Sequence, residues 1–114
     1  MSNLNQNIKV CAVIPFYNEK DFLFDVVKET LNFVDNVIAV NDGSTDGSEE
    51  TIINMERVQV ISLSHNYGKG FALQTGFNEC IKHNYTAVIT LDADKQHEPA
   101  YIPNFIFLLN SFDV

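Results

Sequence analysis

The chain has 114 residues, 46% of them hydrophobic, enough for one modest core and too little for two. Its formal net charge is −8, from 15 acidic and 7 basic residues. That excludes a partner of nucleic-acid backbones, which requires a basic face. An anionic ligand is still compatible with an acidic chain if metal ions and backbone N–H groups supply the positive field. No apolar run reaches the length of a membrane span, and the polar stretch 1–7 is not a signal peptide. The expectation is a cytoplasmic protein with a flexible 1–7 and one folded unit over 8–114. Cys11 and Cys80 lie inside apolar segments at no metal-ligand spacing, which reads as buried reduced thiols.

Residues Ile8 to Ile14 are β-rich and end at Pro15, a first strand. Leu23, Val26, Val27, Leu31 and Val34 recur at helical spacing, so a helix is predicted between Glu19 and Val34. Asn36 to Asn41 is a second apolar strand, broken by Asp42-Gly43-Ser44-Thr45-Asp46-Gly47. A helix is predicted after the break, with Ser44 or Asp46 as N-cap and Glu49 and Glu50 in its first turn. Val58 to Leu63 is a third strand. Gly68-Lys69-Gly70 opens a third helix, with Leu73, Phe77, Cys80 and Ile81 inward, ending near Asn84. Thr86 to Leu91 is a fourth strand, and Pro99 begins a last helix that runs into Phe105 to Leu109.

This alternation of strand and helix predicts an α/β fold. It would be a Rossmann-like parallel sheet of about four strands, joined by right-handed crossovers and flanked by helices. Ligands of such sheets bind beyond the carboxyl ends of the strands. Residues 15–19, 41–46, 64–70 and 92–97 then share one edge, and the unusual polar residues fall on these four loops.

Each loop has a chemical and a plainer reading. In the first, Tyr17 can lie against a base or ribose and Glu19 can accept hydrogen bonds from either, while Pro15 stiffens the turn. Equally, Asn18 or Glu19 can simply cap the first helix. In the second, Asp42 can accept from the imino N–H of a base and Gly43 lets the backbone approach a ligand. The same residues also suit a capped turn. In the third, Gly68 and Gly70 around Lys69 suit a helix N-terminus facing phosphate. The spacing is neither that of a P-loop nor that of a dinucleotide fingerprint. In the fourth, Asp92-Ala93-Asp94, with Gln96 as a further oxygen, fits a hard divalent cation that also holds phosphate. A helix-capping cluster before Pro99 is the alternative.

The matching stretches are Val13 to Glu19, Val40 to Asp46, Asn66 to Phe77 and Leu91 to Pro99. In their order and spacing the chain resembles family 2 glycosyltransferases of the GT-A fold. Within that family it is most similar to the dolichol- and polyprenyl-phosphate sugar transferases. The resemblance implies a GDP- or UDP-sugar donor held with Mg²⁺ or Mn²⁺, and an acceptor that is polyprenyl phosphate or a saccharide. It implies that Pro15, Tyr17, Glu19, Asn41, Asp42, Lys69 and Asp92 serve the nucleotide. Asp92, Asp94 and Gln96 would serve the metal and diphosphate. The implied reaction is an inverting displacement, which an already anionic phosphate acceptor undergoes with little need of a general base.

Two departures bear on this. The family usually carries two consecutive carboxylates after the second strand, and here the first is Asn41, so weakened donor binding is expected. Domains of this kind also run to about 200–250 residues. The chain is therefore expected to be a nucleotide-binding half, without a catalytic residue of its own and inactive alone. The full-length form would work at the cytoplasmic face of a membrane. Self-association is expected through an exposed apolar C-terminal helix and an uncovered sheet edge. A non-catalytic nucleotide-binding or regulatory module is the competing reading.

Overall fold

The computed structural model describes residues 8–94 and a strand at 105–108. Strand β1 (Val10–Phe16) is the centre of the sheet. Its partner on one side is β2 (Asn36–Asn41), parallel, with Cys11 opposite Asn36 and Phe16 opposite Asn41. On the other side lies β4 (Ala87–Thr90), also parallel, with Val10 opposite Ala87. Strand β3 (Val58–Ser62) pairs in parallel with β2, and the order across the sheet is β3-β2-β1-β4-β5. All four parallel strands therefore send their carboxyl ends to one edge.

The pleat sorts the side chains between two faces. Ala12, Ile14 and Phe16 of β1 pack with Leu23, Val26 and Val27 of helix α1 (Leu23–Thr30). Cys11 and Val13 point the other way, toward Ala72 and Cys80 of helix α2 (Lys69–Lys82). Burial on both faces explains why β1 reads as an unbroken apolar run rather than an alternating one. Helix α2 sits so close to the sheet that a Cβ at Gly76 would lie 2.4 Å from a Val13 methyl. The two cysteines are free and fully buried in this second cluster. A hydrogen bond with Cys80, reinforced by burial, pushes the Cys11 thiol well above its ordinary range.

Three predicted elements come out differently. The helix expected through Phe105 to Leu109 is strand β5 (Phe105–Leu108), antiparallel to β4, with Thr90 opposite Phe105. A four-residue apolar run of Phe, Ile, Phe and Leu carries no helical period, and aromatic and β-branched residues favour an edge pairing. The sheet is thus mixed, and the expected apolar C-terminal helix is instead a strand that lies at the edge beside β4. The helix expected after the second loop is only a 3-10 turn, Glu49–Thr51. Asp46 spends its carboxylate on other groups instead of capping it. Helix α1 is shorter than its apolar period, and neither Asn18 nor Glu19 caps it by a side chain; the residue before it, Phe22, supplies no side-chain cap. Residues 1–7, expected to be flexible, 95–104 and 109–114 lie outside the described residues.

Candidate functional site

The carboxyl ends of the parallel strands enclose a cavity of about 420 Å³ lined by Pro15, Phe16, Tyr17, Glu19, Asp42, Asn66, Gly68, Lys69, Asp92, Ala93 and Asp94. Each of the four loops contributes. Of the residues assigned from sequence, Pro15, Tyr17, Glu19, Asp42, Lys69, Asp92 and Asp94 are brought together here.

One wall joins the first loop to the second, and it is stitched by bonds from backbone N–H groups. The Asn18 N–H donates to Ser44 Oγ at 2.9 Å, and the Thr45 N–H donates back to Asn18 Oδ1 at 2.8 Å. The Glu19 N–H donates to Ser48 Oγ at 3.0 Å, and the Lys20 N–H to Asp46 Oδ2 at 3.1 Å. Asn18 takes the left-handed region (φ 53°), which Asn tolerates better than most residues. Asp46 also accepts from the Ser48 N–H and hydroxyl. Burial alone would raise the Asp46 carboxyl, but the bonds from Ser48 and Lys20 outweigh it and hold the group below its ordinary value.

Asp42 ties the second loop to the third. It is 4% exposed, and its two carboxylate oxygens accept from the Tyr67 N–H (2.8 Å) and the Gly68 N–H (3.0 Å). Each oxygen keeps a further lone pair for a ligand. Gly43 lets the two loops touch: at φ +84° its Cβ would fall 2.7 Å from the Asn66 nitrogen and 2.8 Å from the His65 carbonyl carbon. The N-terminus of α2 is thereby fixed at the cavity, where its unpaired N–H groups and helix dipole favour an anion.

The opposite wall joins the third loop to the fourth by an ion pair, Lys69 Nζ to Asp92 Oδ1 at 2.6 Å. It is open to solvent, with side chains 59% and 35% exposed. Asp94 is exposed on the same loop. Burial raises the Glu19 carboxyl, and the negative charges of Asp94 and Asp46 raise it further. Carboxylates that repel one another across a cavity are the donor set a hard cation satisfies. Yet no group of three or more His, Cys, Asp or Glu stands close enough to hold a metal among the described residues. Asp92 and Asp94 are the carboxylates that the fourth loop brings to the cavity.

Asn41 is not part of the cavity. Its Nδ2 donates to Glu49 Oε1 at 2.8 Å and its Oδ1 accepts from the Ser44 N–H at 2.8 Å, on the far side of the strand end. Neighbouring residues of a strand face opposite ways, so Asp42 reaches the cavity and Asn41 cannot. Gln96 lies outside the described residues. Sequence reading missed Asn66 and Phe16 in the lining, and Ser44 and Ser48 in the stitching. A run of Ser, Thr, Asp and Gly signals a turn without saying which loop it will bind.

A cavity at the carboxyl ends of parallel strands, with a helix N-terminus and acidic residues around it, is the layout of a nucleotide-binding α/β domain. The glycosyl transferase family 2 model matches residues 11–113, and the chain belongs to that family. It is 39% identical over 108 residues to the undecaprenyl-phosphate 4-deoxy-4-formamido-L-arabinose transferase of Edwardsiella ictaluri (strain 93-146), covering 85% of this chain and 32% of the relative. The same-named transferase of Proteus mirabilis (strain HI4320) is 37% identical over 117 residues, covering 93% of this chain and 35% of the relative. The chain thus spans about a third of the length of these relatives. Among solved structures it resembles mannosyl-3-phosphoglycerate synthase from Rubrobacter xylanophilus (TM-score 0.67, 24% identity, 81% of this chain and 33% of that one). It also resembles glucosyl-3-phosphoglycerate synthase from Mycobacterium tuberculosis in complex with Mn²⁺, UDP and glucosyl-3-phosphoglycerate (TM-score 0.60, 24% identity, 75% and 33%). These likenesses establish the GT-A fold.

Proposed function

We propose that this chain binds the nucleotide-sugar donor of a polyprenyl-phosphate glycosyltransferase. The observation that carries the reading is the convergence of four strand-end loops on one 420 Å³ cavity with carboxylates on its walls and a helix N-terminus facing in. The polyprenyl-phosphate acceptor is supported by relatives 39% and 37% identical that are named undecaprenyl-phosphate sugar transferases.

In this reading the first two loops hold the nucleoside. Tyr17, 45% exposed at the cavity, lies against the base or ribose, and Glu19 accepts from ribose hydroxyls. Asp42 accepts from a base N–H with the lone pairs that Tyr67 and Gly68 leave. Lys69 and the α2 N-terminus face the diphosphate. Asp92 and Asp94, with Gln96 assigned by resemblance, hold Mg²⁺ or Mn²⁺. When bound, the cation neutralises charge on the departing nucleoside diphosphate while the anomeric carbon inverts. Asn41 acts indirectly, by holding the second loop against Glu49. The enzyme would act at the cytoplasmic face of a membrane; among the described residues no helix is long and apolar enough to cross one.

The test is a thermal-shift panel of UDP-, GDP- and dTDP-sugars with and without Mn²⁺. A metal-dependent rise in Tm with one donor is expected, because a ligand of the native state stabilises it by mass action. No shift with any donor would remove the donor-site reading. Transfer to polyprenyl phosphate, measured on the same protein, separates a complete enzyme from a donor-binding unit.

A further inference from the structure

The two helices give the sheet unlike outer surfaces, α1 on one face and α2 on the other. Residues 8–56, which supply α1 and the first two loops, hold ten acidic residues against three lysines. The exposed Phe24 of α1 is bracketed in sequence by exposed Asp21 and Asp25. Residues 57–91, which supply α2, hold one acidic residue, Glu79, against Arg57, Lys69 and Lys82. Glu79 is occupied by Gln59, Lys82 and His83. The outward stripe of α2 runs through Phe71, Gln74, Thr75, Asn78, Ile81 and Lys82, with Phe71 51% and Ile81 59% exposed. At its start the Tyr67 ring stacks on Phe71, centroids 4.7 Å apart, and Tyr67 stands between Asn66 and Gly68, which line the cavity. The stripe's polar groups already have partners: Gln74 Nε2 donates to Asn78 Oδ1 (3.1 Å), and Thr75 Oγ1 donates to the Phe71 carbonyl (2.9 Å). Covering them with a less polar medium therefore costs little.

Resting on the polyprenyl-phosphate reading above, we propose that the α2 stripe, with the Tyr67–Phe71 ring pair, is a docking face for the surface of a phospholipid bilayer. An acceptor phosphate of that class lies at headgroup level, so the rim of the cavity has to come there. The stripe begins at that rim. Half-exposed aromatic rings sit well at the boundary of headgroups and acyl chains, and Lys82 reaches lipid phosphate along its methylene stem. The acidic α1 side then faces water, away from the lipid phosphates. Phe71 and Ile81 stand toward opposite ends of the stripe with Gln74 and Asn78 between them. That spacing suits shallow insertion of separate side chains better than a close-packed interface with an apolar centre, which a second copy of the chain would need. Apolar insertion drives the binding, because a chain of net charge −8 is repelled by anionic lipid.

The chain has no tryptophan, so Phe71→Trp and Phe24→Trp each supply a single fluorescent reporter, one on either side of the sheet. Each variant is mixed with phosphatidylcholine vesicles, with and without lipid brominated in its acyl chains. Emission of Phe71→Trp should shift to the blue and be quenched by the brominated lipid, and that of Phe24→Trp should do neither. Flotation of the 114-residue chain with the same vesicles should fall about fivefold or more in Phe71→Ser/Ile81→Ser and stay unchanged in Phe24→Ser. Added phosphatidylglycerol should weaken flotation at low salt and not at high salt. Equal quenching of the two reporters, or a double variant that floats like wild type, overturns the docking face. So does a wild type that stays off the vesicles; if the double substitution then dissociates a dimer in sedimentation, the stripe belongs to a second copy. The donor panel reads the cavity separately. A chain that floats but shows no donor shift keeps the docking face and loses the donor site, and a chain that shifts with donor but does not float does the reverse. The substituted side chains are exposed, so an unchanged Tm confirms that each comparison is made on folded protein.

Discussion

The two walls of the cavity are built by different means. Where the first loop meets the second, the contacts are directional bonds from backbone N–H groups to short side chains, Asn18, Ser44, Asp46 and Ser48. Where the third loop meets the fourth, an ion pair between a long lysine and an aspartate, both in reach of water, joins them. Short polar side chains lose little freedom when they bond, and they hold the backbone by directional contacts. An exposed lysine pair is nearly neutral in free energy and easily exchanged. The stitched wall suits recognition of a rigid nucleoside. The ion-paired wall suits groups whose charge changes during a reaction. Asp42 stands between the two, and it transmits the order of the first to the helix that begins the second.

Substitutions at this junction and along each wall should therefore rank in a definite order. Asp42→Ala removes the charged acceptor of the Tyr67 and Gly68 N–H groups at once and should destabilise the fold by about 3 kcal/mol. Nucleotide binding should be abolished by calorimetry; an unchanged affinity would eliminate the base contact assigned to Asp42. Next comes Gly43→Ala, which forces a Cβ into the third-loop backbone at a positive φ. A loss of about 2 kcal/mol in urea unfolding is expected, with donor affinity falling because the loops must separate. In the stitched wall, Asn18→Ala gives up the Thr45 bond and the tolerance for left-handed backbone, for about 1 kcal/mol. On the ion-paired wall, Lys69→Met should leave unfolding free energy within about 0.5 kcal/mol of wild type. If Lys69→Met proved as destabilising as Asn18→Ala, the contrast between the walls would be lost.

Acid should probe the same difference. Hydrogen bonds hold the Asp46 carboxyl below its ordinary value in the folded protein, so its contribution is present at neutral pH and above. That contribution is lost as pH falls through the folded value, because the unfolded chain then takes up a proton first. Asp46→Asn should flatten this part of the stability–pH curve. Equal curves for the variant and wild type would show that the stitching does not depend on that charge.

Much of this was legible from the chain. The apolar runs of β1, β2 and β4, alternating with helical segments, made a parallel sheet legible, because strands buried on both faces need uninterrupted apolar residues, whereas the order of the strands came from the fold. The position of chemistry at the strand ends followed from the same alternation. Family 2 membership was visible in residues 13–19, 40–46, 66–77 and 91–99, whose order and spacing no single motif could imitate. Tertiary structure decided what periodicity cannot express. It turned Phe105–Leu108 into an antiparallel strand, since a short apolar run takes whichever partner it meets. It sent Asn41 away from the cavity and Asp42 into it, because a strand gives its two faces to alternate residues. And it set Lys69 against Asp92, which no spacing could foresee, since residues 23 positions apart meet only when two strands and a helix bring their ends to one edge.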